Sequence, residues 1–302
     1  MIDFHRIQPE DKPAYEQILM RCPPRGCEYS FANLCLWGRQ EIAYLHGCAV
    51  LFAHYDGRTI YPYPVGSGDR KAALEAIVAD ARERGIPCRM AGLTLEDRVE
   101  LETLLPGMFY CREDRDFEDY VYTIDALADL RGRKLQRKRN HVNRFRADHP
   151  DYTVVPLNQD NLVIAQRLVA DWYRHRMETA GGDYMMEQIA FQRAFHNFDA
   201  LEMDGILLYI GSEPVAMSMG SRMYPDLVDV HFEKALEHID GAYAAVNSEF
   251  ARYIREKYPE VQYLDREDDM GLEGLRKAKL SYQPHHMVHK CRAYLMEEID
   301  DP

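Results

Sequence analysis

The order of secondary-structure signals in the first 125 residues of this chain is repeated from residue 150 to the C-terminus, and that duplication limits the folds open to it more than any single motif. Near the start DFHRI reads as a short strand followed by the helix PEDKPAYEQILMR. In the second half YTVVPL is followed by the helix NQDNLVIAQRLVADWYRHR. Hairpin-like strands come next, EIAYLHGCAVLFAHYDGRTIYPYP in one half and GILLYIGSEPVAMSMGSRMYPDLVDVHF in the other. A glycine turn then opens a helix in each copy, at Gly66 and Gly68 and again at Gly241. Each helix leads to a strand (PCRMAGL; VQYLDRE), a second helix (LEDRVELETLL; LEGLRKAKL) and a terminal strand (FEDYVYTI; HMVHKCRAYL). Two copies of one unit, mixing helices and strands, predict an α+β fold, an α/β sandwich in tandem, with units at 1–125 and 150–302.

Between the copies, residues 126–149 predict one or two helices with a narrow apolar stripe of Leu135, Val142 and Phe145. Within them RGRKLQRKRNHVNRFR carries eight Lys or Arg and no acid, in a chain of net charge -13. The rest of the molecule therefore repels a polyanion, and any phosphate has to be met locally. The basic strip is either a phosphate-contacting surface or a solvated helix face paired with acids around it.

The strand LVDVHFEKA is the most informative stretch for chemistry. Alternation places Val228, Val230 and Phe232 on one face and Asp229, His231 and Glu233 on the other. On a sheet covered by helices on both sides, those three groups have shifted pKa values, and Glu233 or His231 can act as a general base; on an open sheet they are a wet face. Downstream, YLDREDDMGLEGLRKAKL combines Asp265, Arg266 and Glu267 at a strand end with Arg276, Lys277 and Lys279 on a helix, a clamp for phosphate or carboxylate or else a solvated charged loop. In HHMVHKC, His285 and His289 would stand about 13 Å apart on a strand, too far to share an ion, and no metal site is expected. Dinucleotide, P-loop, nucleophile-elbow and HExxH patterns are absent. The seven cysteines are scattered and odd in number, as in a reduced protein.

Three stretches taken together, EYSFANLCLWG, RKRNHVNRF and HFEKALEHIDGAYAAVNSEFA with YLDREDDMGLEGLRKAKLSYQP, resemble the family of the C-terminal catalytic domain of bacterial phosphatidylglycerol lysyltransferases, itself similar to Fem-type aminoacyltransferases. The resemblance covers nearly the whole chain and implies two units of the GCN5-related N-acetyltransferase (GNAT) type joined by a basic helical linker. It also implies transfer of an aminoacyl group from its tRNA to an amine or hydroxyl, without a covalent enzyme intermediate. The second unit would hold the reacting centre, with Asp229, His231 and Glu233 catalytic. Arg266, Glu267, Gly241, Tyr243, Arg276, Lys277 and Lys279 would bind substrate. Arg133, Lys134, Arg137, Lys138, Arg139, Asn140 and Arg144 would meet tRNA phosphates.

Two departures from the family pattern stand out. Lysyltransferases carry a membrane-spanning region ahead of this domain, whereas no stretch here approaches the roughly 20 apolar residues of a span, so the chain reads as cytoplasmic, without integral membrane association. Acetyl-CoA users carry R/Q-x-x-G-x-G/A, whereas this chain has His238-Ile-Asp-Gly241-Ala-Tyr243. No tightly bound cofactor is expected. The donor is aminoacyl-tRNA or acyl-CoA, and the acceptor a small molecule, a peptide or a lipid headgroup. Three functions stay open: aminoacyl transfer, CoA-dependent acylation of a small amine, and non-catalytic binding of an anion or a partner by a chain that kept the fold.

Overall fold

The computed structural model describes residues 1–38, 40–55, 57–180 and 184–298. In chain order the first elements are β1 (His5–Arg6), α1 (Lys12–Leu19), α2 (Phe31–Trp37), β2 (Gln40–Leu45), β3 (Cys48–Tyr55), β4 (Arg58–Pro62), β5 (Val65–Gly66), α3 (Arg70–Arg84), β6 (Arg89–Leu93), α4 (Leu95–Leu104) and β7 (Phe109–Glu113). Then come β8 (Asp119–Thr123), α5 (Ile124–Asp129), α6 (Gln136–Asp148), β9 (Tyr152–Pro156), α7 (Leu162–Ala180), α8 (Met185–His196), β10 (Met203–Ile210), β11 (Glu213–Tyr224), β12 (Leu227–Ala235), α9 (Ala242–Lys257), β13 (Tyr263–Asp265), α10 (Glu273–Leu280), β14 (His286–Val288) and β15 (Cys291–Leu295). Helix ends follow local chemistry. Asp69 accepts from Ala72 N at 3.0 Å to start α3, Gly85 ends it in the left-handed region, and Thr94 with Asp97 forms a capping box on α4.

The chain forms two compact units, Met1–Asp119 with Val288–Pro302, and Tyr120–Met287. The first sheet runs β1-β2-β3-β4-β6-β15-β7, with β5 on β3, and the second runs β14-β8-β13-β12-β11-β10-β9. Each has the same plan: an antiparallel run, one parallel pair (β4 with β6, β12 with β13), then an antiparallel strand. That last strand is exchanged. β8, which follows the first copy, pairs with β13, and β15, at the end of the second copy, pairs with β6 and β7. The expected terminal strand HMVHKCRAYL is in fact two strands, β14 and β15, which belong to different sheets.

The units therefore differ from the expected division into 1–125, 126–149 and 150–302. Segment 126–149 is part of the second unit, because its stripe is buried there: Leu135, Val142 and Phe145 join Val230, Val246, Phe250 and Leu264 in one core. Gly241 explains how closely α6 and α9 pack. It starts α9 at φ +81°, and a Cβ on it would stand 2.6 Å from the His141 carbonyl oxygen. The first unit has its own core of Val50, Phe52, Tyr61, Leu74, Ile77 and Met90. The seven cysteines form no disulfide among the described residues.

Gly241→Ala is expected to lower stability by at least about 1–2 kcal/mol, since it adds both a left-handed penalty and a backbone clash. A thermal melt checks this; an unchanged midpoint would contradict the close helix contact.

Candidate active site

The parallel ladder between β12 and β13 has three pairs and ends at Asp229 opposite Asp265, while β12 runs on to Ala235. Beyond that point the gap in the sheet is bridged by side chains. On its other edge β12 carries a bulge: Met219 pairs with Phe232 and Gly220 with Val230, leaving His231 as the extra residue.

The bulge corrects the expected alternation. Val228 and Val230 pack in the core with α9, and Glu233 also meets α9, through Asn247. Phe232 instead stacks on Phe191 of α8 at 3.8 Å, and Lys234 lies 4.0 Å from the Trp172 ring of α7 and 2.8 Å from Glu187. Asp229, His231 and Glu233 therefore do not share a face. They form two clusters, one on each side of the strand.

On the α9 side, Asn247 Nδ2 and Arg266 Nη2 donate to the two oxygens of Glu233, each at 3.0 Å. The Arg266 guanidinium lies over the Tyr282 ring at 4.9 Å and near Tyr122 at 5.8 Å. Lys138, from α6, places its amine 4.1 Å over the same Tyr282 ring. Burial, together with Arg266 and Arg137, lowers that amine to about 8, against the pull of Glu233. One amide and one guanidinium thus fix the Glu233 carboxylate, with the Lys138 cation over the neighbouring Tyr282 ring, an arrangement that can accept a proton from an entering nucleophile and face a developing oxyanion.

On the other side, His231 Nε2 is 2.8 Å from Ser221 Oγ, and its Nδ1 is 3.2 Å from Glu267 Oε1 and 3.5 Å from Asp229 Oδ2. Those three ligand atoms all lie within 4.8 Å of one another, close enough to hold a divalent ion. A second such group, Cys27, Glu28 and Asp119, lies in the first unit, where the Lys290 amine sits 2.8 Å from Asp119 and 2.5 Å from Glu28. In HHMVHKC the His285 and His286 rings lie 5.5 and 5.9 Å from that of Tyr263, and His289 Nδ1 is 2.9 Å from Glu118 Oε1.

Of the other residues expected to bind substrate, Arg276 and Lys279 serve the loop that carries Arg266 and Glu267. Arg276 forms a two-pronged pair with Asp269 at 2.8 Å, Lys279 donates to the carbonyls of Arg266 and Asp268, and Lys277 pairs with Glu273 within its own helix. Tyr243 accepts from Trp172 Nε1 at 3.0 Å. In the basic strip, Arg139 ties back the carbonyls of Leu130 and Gly132, and Arg144 pairs with Asp240 at 3.0 Å. Arg133, Lys134, Arg137 and Asn140 are exposed. Sequence reasoning missed Asn247, Tyr282, Ser218 and Ser221. The one legible signal was the polar run Asn247-Ser248-Glu249 inside the otherwise apolar buried stretch of α9.

The fold is that of proteins built from two GNAT-like units. The chain belongs to the family described as phosphatidylglycerol lysyltransferase, C-terminal, which it matches over residues 20–294. A conserved protein of unknown function from Bacteroides thetaiotaomicron is 38% identical and superposes at a TM-score of 0.92, over 98% of this chain and all of that one. The L-PGS structure from Bacillus licheniformis superposes at 0.71 with 14% identity, over 98% and 94% of the two chains. FemX superposes at 0.62 with 11% identity, over 98% of each chain. A curated relative, an uncharacterised protein of Mycoplasmoides gallisepticum, is 24% identical over 60% of this chain and only 56% of its own length.

Burial would raise the Asp269 carboxyl, but Arg276, Tyr120 and the Gly271 amide hold it down to about 2. A carboxyl depressed in the folded state stabilises the fold above its unfolded pKa and loses that contribution as pH falls toward its folded one. Arg276→Ala is thus expected to lower the melting temperature at pH 7, with the gap to wild type closing between about pH 4 and pH 2. A gap that does not change with pH would contradict the role given to this pair.

Proposed function

We propose that this chain transfers an aminoacyl group from an aminoacyl-tRNA to an amine or hydroxyl acceptor at Glu233. One observation carries the reading: the Glu233 carboxylate, fixed by Asn247 and Arg266 where the β12–β13 ladder ends, has beside it Lys138 from the basic helix. The acceptor gives its proton to Glu233 as it attacks the ester carbonyl, the oxyanion forms against the cationic side, and the tRNA hydroxyl leaves with the proton. Binding energy for the tRNA comes from Arg133, Lys134 and Arg137, exposed side chains on a strip that offsets the net charge of -13 locally. The family takes its name from lysyl transfer to a phospholipid, which supports an aminoacyl donor and an acceptor borne by a lipid, a peptide or a small molecule. No helix among the described residues is long and apolar enough to cross a membrane. With charged tRNA as donor, the reaction belongs in the cytoplasm.

The start of α9 favours tRNA over CoA as the donor. A helix N-terminus is the natural seat for a pyrophosphate. At α9 that end is packed against α6, with Asp240 held by Arg144 and His141 at 3.0 and 3.8 Å.

Filter binding of aminoacyl-tRNA across a salt series tests the reading. Affinity is expected to fall steeply with salt, and the triple variant Arg133→Ala, Lys134→Ala, Arg137→Ala should flatten the log–log slope by about two. Absence of binding at low salt, or an unchanged slope, would overturn it.

A further inference from the structure

We propose that Lys138 and Arg266 form a seat for one anionic group of the acceptor, a carboxylate or a phosphate, next to Glu233. The inference rests on placing the reaction at Glu233. It adds that the acceptor is charged close to its nucleophilic atom.

Four observations lead to it. Lys138 Nζ and the Arg266 guanidinium lie 4.1 and 4.9 Å from the centre of the same Tyr282 ring, so two cations share one small region. The ion pair formed there is Glu233 with Arg266, and Lys138 has no carboxylate partner among the described residues. Arg266 uses Nη2 on Glu233, while its Nη1 is buried without a hydrogen-bond partner among the described residues. A buried guanidinium donor left unmatched is unfavourable, and a cation beside it adds repulsion. Finally, burial, Arg266 and Arg137 lower the Lys138 amine by more than the Glu233 charge restores.

An anion that accepts from Arg266 Nη1 and Lys138 Nζ satisfies both donors and removes the excess positive charge. Water can fill the donors but leaves the charge. Two further buried atoms without partners among the described residues belong to the residues around Glu233: Asn247 Oδ1, on the residue that bonds the carboxylate, and Ser218 Oγ, directly across the ladder from it. They can accept the N–H or O–H of the acceptor's nucleophile while its anion sits on the cations. The two groups of one acceptor would then be held at once, which aligns the nucleophile for attack.

The test is competitive amine labelling. The folded protein is treated with a limiting amount of acetic anhydride at pH 8, and modification of each lysine is read by peptide mass spectrometry, with chloride, acetate or inorganic phosphate at constant ionic strength. Acetate, phosphate or both are expected to cut Lys138 labelling by about threefold or more once present above their Kd, with Lys134 and Lys277 unchanged. The arm that protects identifies carboxylate or phosphate as the preferred group. Arg266→Met should abolish the protection and Arg266→Lys weaken it; the second variant keeps the charge should the first fail to fold. Lys138 labelling unaffected by either anion, or protection equal in wild type and variant, would overturn the proposal. Protection without aminoacyl transfer would keep the seat and remove the transfer reading; transfer without protection would do the reverse.

Discussion

One extra residue in β12 decides which side of the second sheet each polar group serves. A strand alternates strictly, so a single insertion flips everything beyond it. With His231 as that residue, Phe232 and Lys234 turn toward α7 and α8, and Glu233 turns toward α9. Without the bulge, Glu233 would face away from Asn247. The geometry of the site thus depends on a backbone irregularity placed where the ladder to β13 stops, so that the chains following both strands have side chains free to reach across.

Much of the charge near the site is structural. Arg276 and Lys279 are spent on Asp269 and on backbone carbonyls, and together they fix residues 266–269, from which Arg266 and Glu267 reach opposite sides of β12. Buried charges of this kind persist only when paired or hydrogen-bonded. The basic strip divides in the same way. Arg139, Arg144 and Arg146 are tied to carbonyls or carboxylates within the second unit, Lys138 turns to the Tyr282 ring, and Arg133, Lys134 and Arg137 stay exposed.

The repeat, the helices of the junction and their Leu135, Val142 and Phe145 stripe were legible because they are written in local periodicity. The exchange of β8 and β15 was not, since strand partners far apart in sequence leave no local trace. Helix α8 was passed over, and HMVHKCRAYL was read as one strand because the break at His289 and Lys290 carries neither glycine nor proline. In the strand LVDVHFEKA a period of two cannot show a bulge, so Glu233 was expected on the same face as His231. Arg266 and Lys138 were named as ligand-contacting residues, yet nothing in their spacing indicates that both meet Tyr282, whose role comes only from the fold.

Separating the two sides of β12 is the most direct test of this account. Single-turnover transfer from aminoacyl-tRNA would be compared for Glu233→Gln and His231→Gln, each first shown to melt like the wild type. The expected result is a loss of about 10²–10⁴ for Glu233→Gln, as for removal of a general base, and a loss under about tenfold for His231→Gln. The reverse order, with His231 essential and Glu233 dispensable, would move the reacting centre to the opposite face and contradict the account.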